Sequence, residues 1–93
     1  MLGDSLRRHY GTLIYAIQGE AGGPVKIGVA TDIEARFRTI QSCSPVPLVV
    51  RAVQLGGYQE EEELHFRFRS SRLHGEWFEP SKEMERVFGV GLT

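Results

Sequence analysis

The sequence predicts an α/β (α+β) domain in which a three-stranded antiparallel sheet is flanked by helices. Three observations carry this. Two β-rich runs, Thr12 to Gln18 and Val25 to Val29, flank GEAGGP, whose three glycines and proline continue neither strand and so mark a hairpin turn. Directly after the second run, Thr31-Asp32-Ile33-Glu34 has the Ser/Thr-x-x-Glu form in which hydroxyl and carboxylate satisfy free backbone donors at a helix start. Leu48 to Leu55, dense in Val and Leu, then supplies a third strand that Gly56-Gly57 ends.

Bulk properties set limits on the function. At 93 residues the chain is expected to form one domain, with an arm over 1–11, a motif-bearing core over 12–79 and a C-terminal segment over 80–93. A chain of this size buries only about 60–65% of its unfolded surface. The net charge of −1 provides no global basic field, so any contact with DNA must come from a local patch. Cys43, the single cysteine, excludes an intrachain disulfide and a Cys-rich zinc site and fits a reducing, cytoplasmic setting. No apolar run approaches the roughly 18 residues of a membrane span. Met1 to Gly11 carries Asp4, Arg7, Arg8 and His9 where a signal peptide would be apolar.

Within the arm, Leu2, Leu6 and Tyr10 recur every four residues, enough for one or two helical turns, and Arg7 and Arg8 are either solvated charges or phosphate contacts. Strand one is apolar on both faces, as a central strand must be. Strand two sets Val25, Ile27 and Val29 on one face and Lys26 and Gly28 on the other. Lys26 is either a charge that discourages edge pairing or a site residue. On the first helix Ile33, Phe37 and Ile40 form one apolar stripe, and Arg36 falls about 60° from Ile33 and about 40° from Ile40, at the rim of the core. Pro45 and Pro47 break the chain before strand three.

The second helix is expected to begin near Tyr58 and to carry four successive glutamates, Glu60 to Glu63. Taking Glu61 as the origin, Leu64 lies at about −60°, Phe68 at −20°, His65 at +40° and Arg72 at +20°, while the other three glutamates point about 100° or more away. Only Glu61 shares the inward face. An inward carboxylate is costly without a cation, a hydrogen-bond network or water, so Glu61 is either a metal ligand or one half of an ion pair with an arginine such as Arg36. His65 either joins that site, on water, phosphate or metal, or packs on the sheet satisfied by a backbone carbonyl. Arg67, Arg69 and Arg72 place local positive charge beside the acidic run. They read as a DNA-binding phosphate track or as ordinary i,i+4 partners such as Glu63 with Arg67. Trp77 and Phe78 are expected to pin the C-terminal segment to the core. Lys82 to Phe88 forms a short last helix stopped by the glycines at 89 and 91.

Ile14-Tyr15, ten intervening residues, Lys26-Ile27-Gly28, then Asp32-Ile33 and Arg36, resembles the GIY-YIG nuclease superfamily. Its small phage and bacterial branch has KIG as the second tripeptide and ends in Gly-Glu-Trp-Phe, here Gly75-Glu76-Trp77-Phe78; the match runs from about residue 12 to 79. The resemblance implies a metal-dependent DNA endonuclease. It places a single Mg²⁺ or Mn²⁺ on Glu61 and a non-bridging phosphate oxygen on Arg36. It gives water activation or positioning to Tyr15, puts Lys26 where the second tyrosine usually stands, and includes His65 through the pattern E-x-x-L-H. A phenol titrates near about 10, and Lys26 across the hairpin is expected to favour its anion. The first tripeptide lacks its glycine, and the chain has no asparagine, which many members carry near the C-terminus. A DNA-binding module without cleavage, and a protein-interaction domain using the acidic helix, are the competing expectations. Related nucleases often carry a separate DNA-binding domain, so a homodimer or a separate DNA-targeting protein is an expected partner.

Overall fold

In the computed structural model, which describes residues 11–92, the chain is built on the hairpin of β1 (Leu13–Gly19) and β2 (Val25–Ala30). The two strands pair antiparallel with Tyr15 opposite Gly28 and Ile17 opposite Lys26. Buried Gln18 braces the turn: its Nε2 donates to the Gly23 carbonyl at 2.7 Å and its Oε1 accepts from Arg51 Nε at 2.9 Å. β3 (Leu48–Leu55) pairs along the other side of β1, so every residue of β1 is buried, as its two apolar faces require. The helical turns expected around Leu2, Leu6 and Tyr10, and the arginines at 7 and 8, lie outside the described residues.

The sheet has five strands in the order β3-β1-β2-β5-β4, which corrects the expected three. β4 (Arg72–His74) and β5 (Trp77–Phe78) form a small ribbon around Gly75, whose φ of 58° suits the tight turn between them. At three and two residues neither strand is long enough to show a two-residue alternation. β5 is placed by tertiary contact instead: it pairs with β2 at Val25 and Lys26 while Phe78 enters the core. Lys26 is therefore not on a free edge.

Helices cover both faces. On one, α1 (Ile33–Ser42) sets Ile33, Phe37 and Ile40 against Tyr15, Ile17, Ala30 and Leu48, the predicted stripe in use. Its cap differs from expectation: Asp32, not Thr31, is the N-cap, and its carboxylate accepts from Ala35 N at 3.0 Å. Aspartate caps as well as threonine, and Glu34 then sits in the first turn where the helix dipole favours it. On the other face α2 (Tyr58–Arg67) and α3 (Lys82–Phe88) bring Leu64, Phe68, Met84 and Phe88 onto Ile14, Ala16, Val25, Ile27 and Phe78. Gly89, at φ 70°, ends α3 in the left-handed conformation expected of a helix-stopping glycine. Because α2 stops at Arg67, Arg72 belongs to β4 and not to the helix face assigned to it.

Among the described residues no helix is long and apolar enough to cross a membrane. Phe78 is the side chain that fastens the ribbon to both β2 and the helices, and it is fully buried. Phe78→Ala is therefore expected to lower the unfolding free energy by about 3–5 kcal/mol in a denaturant titration.

Candidate functional site

The site begins where strand pairing stops. β5 meets β2 only at Val25 and Lys26, and the next residue, Ile27, is served from elsewhere. Its N–H donates to the Glu76 carbonyl at 3.0 Å, and its carbonyl accepts from His65 Nε2 at 2.8 Å. A carbonyl only accepts, so Nε2 carries a hydrogen and Nδ1 is the nitrogen left for other chemistry. His65 stands one helical turn after Glu61 on α2. Together with Glu76, from the turn between β4 and β5, they form a cluster whose ligand atoms all lie within 4.8 Å of one another.

The acidic run on α2 is thus resolved residue by residue. Glu60 turns back to accept from the Gly57 N–H at 2.7 Å, Glu62 and Glu63 face solvent, and Glu61 is only 8% exposed. Burial holds the Glu61 carboxyl above its usual range, and the Glu76 carboxylate pushes it further; His65 and Lys26 act in the opposite direction. Glu76 is itself held by Lys26, with Nζ 3.1 Å from Oε1. Two carboxylates and one imidazole with one compensating lysine leave room for added positive charge. The donors could hold a divalent cation: carboxylates suit Mg²⁺ and Mn²⁺, and the imidazole is a donor that softer ions such as Zn²⁺ also accept.

Tyr15 and Arg36 approach from the opposite face of the sheet. The Tyr15 ring is buried, and its hydroxyl makes no hydrogen bond. Desolvation raises its pKa above 10.0; the Arg36 guanidinium lowers it in part, and Glu76 and Glu61 raise it again. The expected influence of Lys26 is therefore corrected: Glu76 engages that lysine, and the cation acting on the phenol is Arg36. Arg36 is exposed and donates from Nη1 to the Val29 carbonyl at 3.3 Å. Gly28 makes the arrangement possible, since a Cβ there would overlap the Tyr15 hydroxyl and stand 3.1 Å from Glu76 Oε1.

Arg67, Arg69 and Arg72 are exposed but spread over the end of α2, a 3₁₀ turn (Arg69–Ser71) and β4. Arg67 pairs with Glu83 of α3 at 3.3 Å and not with Glu63. Arg69 lies over the Phe66 ring at 4.0 Å and donates to the Phe66 carbonyl, and Arg72 donates to the Gly75 carbonyl at 2.6 Å. Glu76 is the site residue that sequence reasoning does not place. Its signal is the Glu of Gly-Glu-Trp-Phe, but only the β5 pairing carries it to Glu61.

The buried Glu61 carboxyl and the partnerless Tyr15 hydroxyl each weaken the fold. Glu61 has a folded pKa above its unfolded one, so its contribution is favourable below the ordinary carboxylate range and is lost as pH rises through the folded value. Glu61→Gln is expected to melt a few degrees above the parent at pH 7, with the gain disappearing near pH 4 in a thermal-melt series. Tyr15→Phe removes a buried hydroxyl that lacks a partner and is expected to stabilise by about 1 kcal/mol, measured by denaturant unfolding.

No curated protein and no solved structure matches this chain. The T5orf172 domain matches residues 12–89, a span that holds every strand and helix described above and all of Tyr15, Lys26, Arg36, Glu61, His65 and Glu76. With most of its length covered by that match, the chain belongs to the T5orf172 domain family.

Proposed function

We propose that this domain is a divalent-metal-dependent DNA endonuclease that hydrolyses phosphodiester bonds with a single metal ion. The observation that carries the reading is the convergence of buried Glu61 with His65 and Glu76 at the open edge of β2, with Tyr15 and Arg36 arriving from the other face. Membership of a family associated with nuclease-like functions supports it, as does the resemblance to the GIY-YIG pattern.

Glu61, His65 through Nδ1, and Glu76 would hold the ion. The chemistry that Mg²⁺ or Mn²⁺ would supply there is neutralisation of charge gathering on the phosphoryl oxygens. Arg36, which donates to the neutral Val29 carbonyl, exchanges that partner for a non-bridging phosphate oxygen, a stronger charge-assisted bond. Tyr15 keeps its proton at neutral pH, because its pKa is raised. It therefore orients water or phosphate by donating from its hydroxyl, a partner the folded chain does not supply. Lys26 fixes the Glu76 carboxylate and keeps positive charge beside the scissile group. The net charge of −1 gives no general attraction to DNA, so targeting falls to a second copy of the chain or to a separate DNA-targeting protein.

The test is incubation with supercoiled and branched DNA in Mg²⁺ or Mn²⁺, beside EDTA and Glu61→Ala controls. Cleavage is expected to disappear in both controls, and Arg36→Ala is expected to slow it by about 10²-fold or more. Salt-dependent binding without cleavage would replace this reading with a DNA-binding module. Neither binding nor cleavage would leave the protein-interaction domain.

A further inference from the structure

Beside the acidic cluster lies a cleft of about 550 Å³ between α1, the hairpin turn and the β4–β5 ribbon. Its lining includes Ile40, Val46, Leu73, His74 and Trp77, with Lys26 as the charged member and no carboxylate. Val46 and Leu73 are 52% and 50% exposed, so the chain keeps apolar surface in water at this spot. Contiguous exposed apolar surface of this kind marks a binding region. Trp77 presents a flat aromatic ring, and Lys26 Nζ stands 5.6 Å from its centroid. That same Nζ is 3.1 Å from Glu76 Oε1, so one side chain joins the cleft to the cluster proposed to handle the phosphate.

We infer that this cleft receives an unpaired nucleobase of the DNA, stacked on Trp77, next to a phosphate drawn to Lys26. The inference rests on the nuclease reading and adds a substrate class to it. A phosphate at Lys26 brings its neighbouring base to the cleft, whose wall is aromatic and aliphatic and whose one charge is positive. A base within a duplex is stacked on both sides and cannot enter. Extruding it breaks its pairing and both of its stacking contacts, whereas the cleft returns one stacking contact on a single ring. The return does not cover extrusion from a well-paired duplex. It does cover capture of a base that is already free, so the cleft selects single-stranded, bulged or branched DNA over continuous duplex.

Trp77 is the only tryptophan in the chain, which makes its fluorescence a direct report on the cleft. The experiment titrates the protein in EDTA with a short single-stranded DNA oligonucleotide, with an abasic strand of the same length, and with a fully paired duplex. The base-containing strand is expected to quench Trp77 and to bind about tenfold more tightly than the abasic strand. Val46→Ser combined with Leu73→Ser, both at exposed positions, is expected to reduce that preference several-fold. Equal quenching by the abasic strand, or tightest binding by the duplex, would overturn the inference. Because no metal is present, the two readings separate. Base-dependent quenching in a protein that never cuts DNA supports the cleft and removes the nuclease; cleavage without base-dependent quenching removes the cleft alone.

Discussion

Both polar groups of the Ile27 peptide are buried at a point where the sheet provides no strand to pair them. An unpaired buried peptide group costs about as much as a lost hydrogen bond, so something else must reach this edge. The Glu76 carbonyl takes the N–H and His65 Nε2 serves the carbonyl. Those two bonds draw α2 and the ribbon to the same residue, and the Glu61–His65–Glu76 cluster follows from them. Had β5 continued for two more residues along β2, its own backbone would have filled the edge and the imidazole would have had no carbonyl to hold it. The brevity of β5 is therefore a requirement of the site.

The same edge explains why groups from opposite faces of the sheet can act together. Tyr15 and Gly28 are cross-strand partners, and with no side chain at position 28 the tyrosine hydroxyl passes close to the β2 backbone toward Glu76. Arg36 comes from α1 on that face, while Glu61 and His65 come from α2 on the other. The result concentrates groups that the fold alone would not choose: a buried carboxylate with its proton affinity raised, a second carboxylate beside it, and a buried hydroxyl without a partner. The buried carboxylate and the partnerless hydroxyl both oppose folding. Such concentrations of unfavourable polar groups are characteristic of functional sites.

Periodicity makes much of this legible in the sequence. The hairpin, the third strand and the α1 stripe follow from spacings of two and of three to four residues, and helical angles separate Glu61 from its three neighbours because that face really is buried. What stays hidden depends on tertiary contact. Strands of three and two residues carry no period, so β4 and β5 are invisible in the pattern and Glu76 has no address. Arg72 falls on an extrapolated helix face because the end of α2 at Arg67 has no proline or glycine to announce it. Arg67 pairs with Glu83, a residue 16 positions away, over the local partner that sequence spacing favours.

Lys26 sets the charge balance of the cluster. A tyrosine at this position would leave Glu61 and Glu76 as two neighbouring carboxylates with only His65 to offset them. One of the two would then be driven to take up a proton. Lysine changes that balance: its Nζ binds Glu76 directly and also lowers the proton affinity of Glu61. Burial and the Glu76 carboxylate still outweigh it, so the Glu61 carboxyl stays above its usual range even with the lysine present. The same lysine faces Trp77 and the cleft. Its ammonium thus has an anionic neighbour in Glu76 and a π-rich one in Trp77, and this one side chain ties the charge of the cluster to the wall of the cleft.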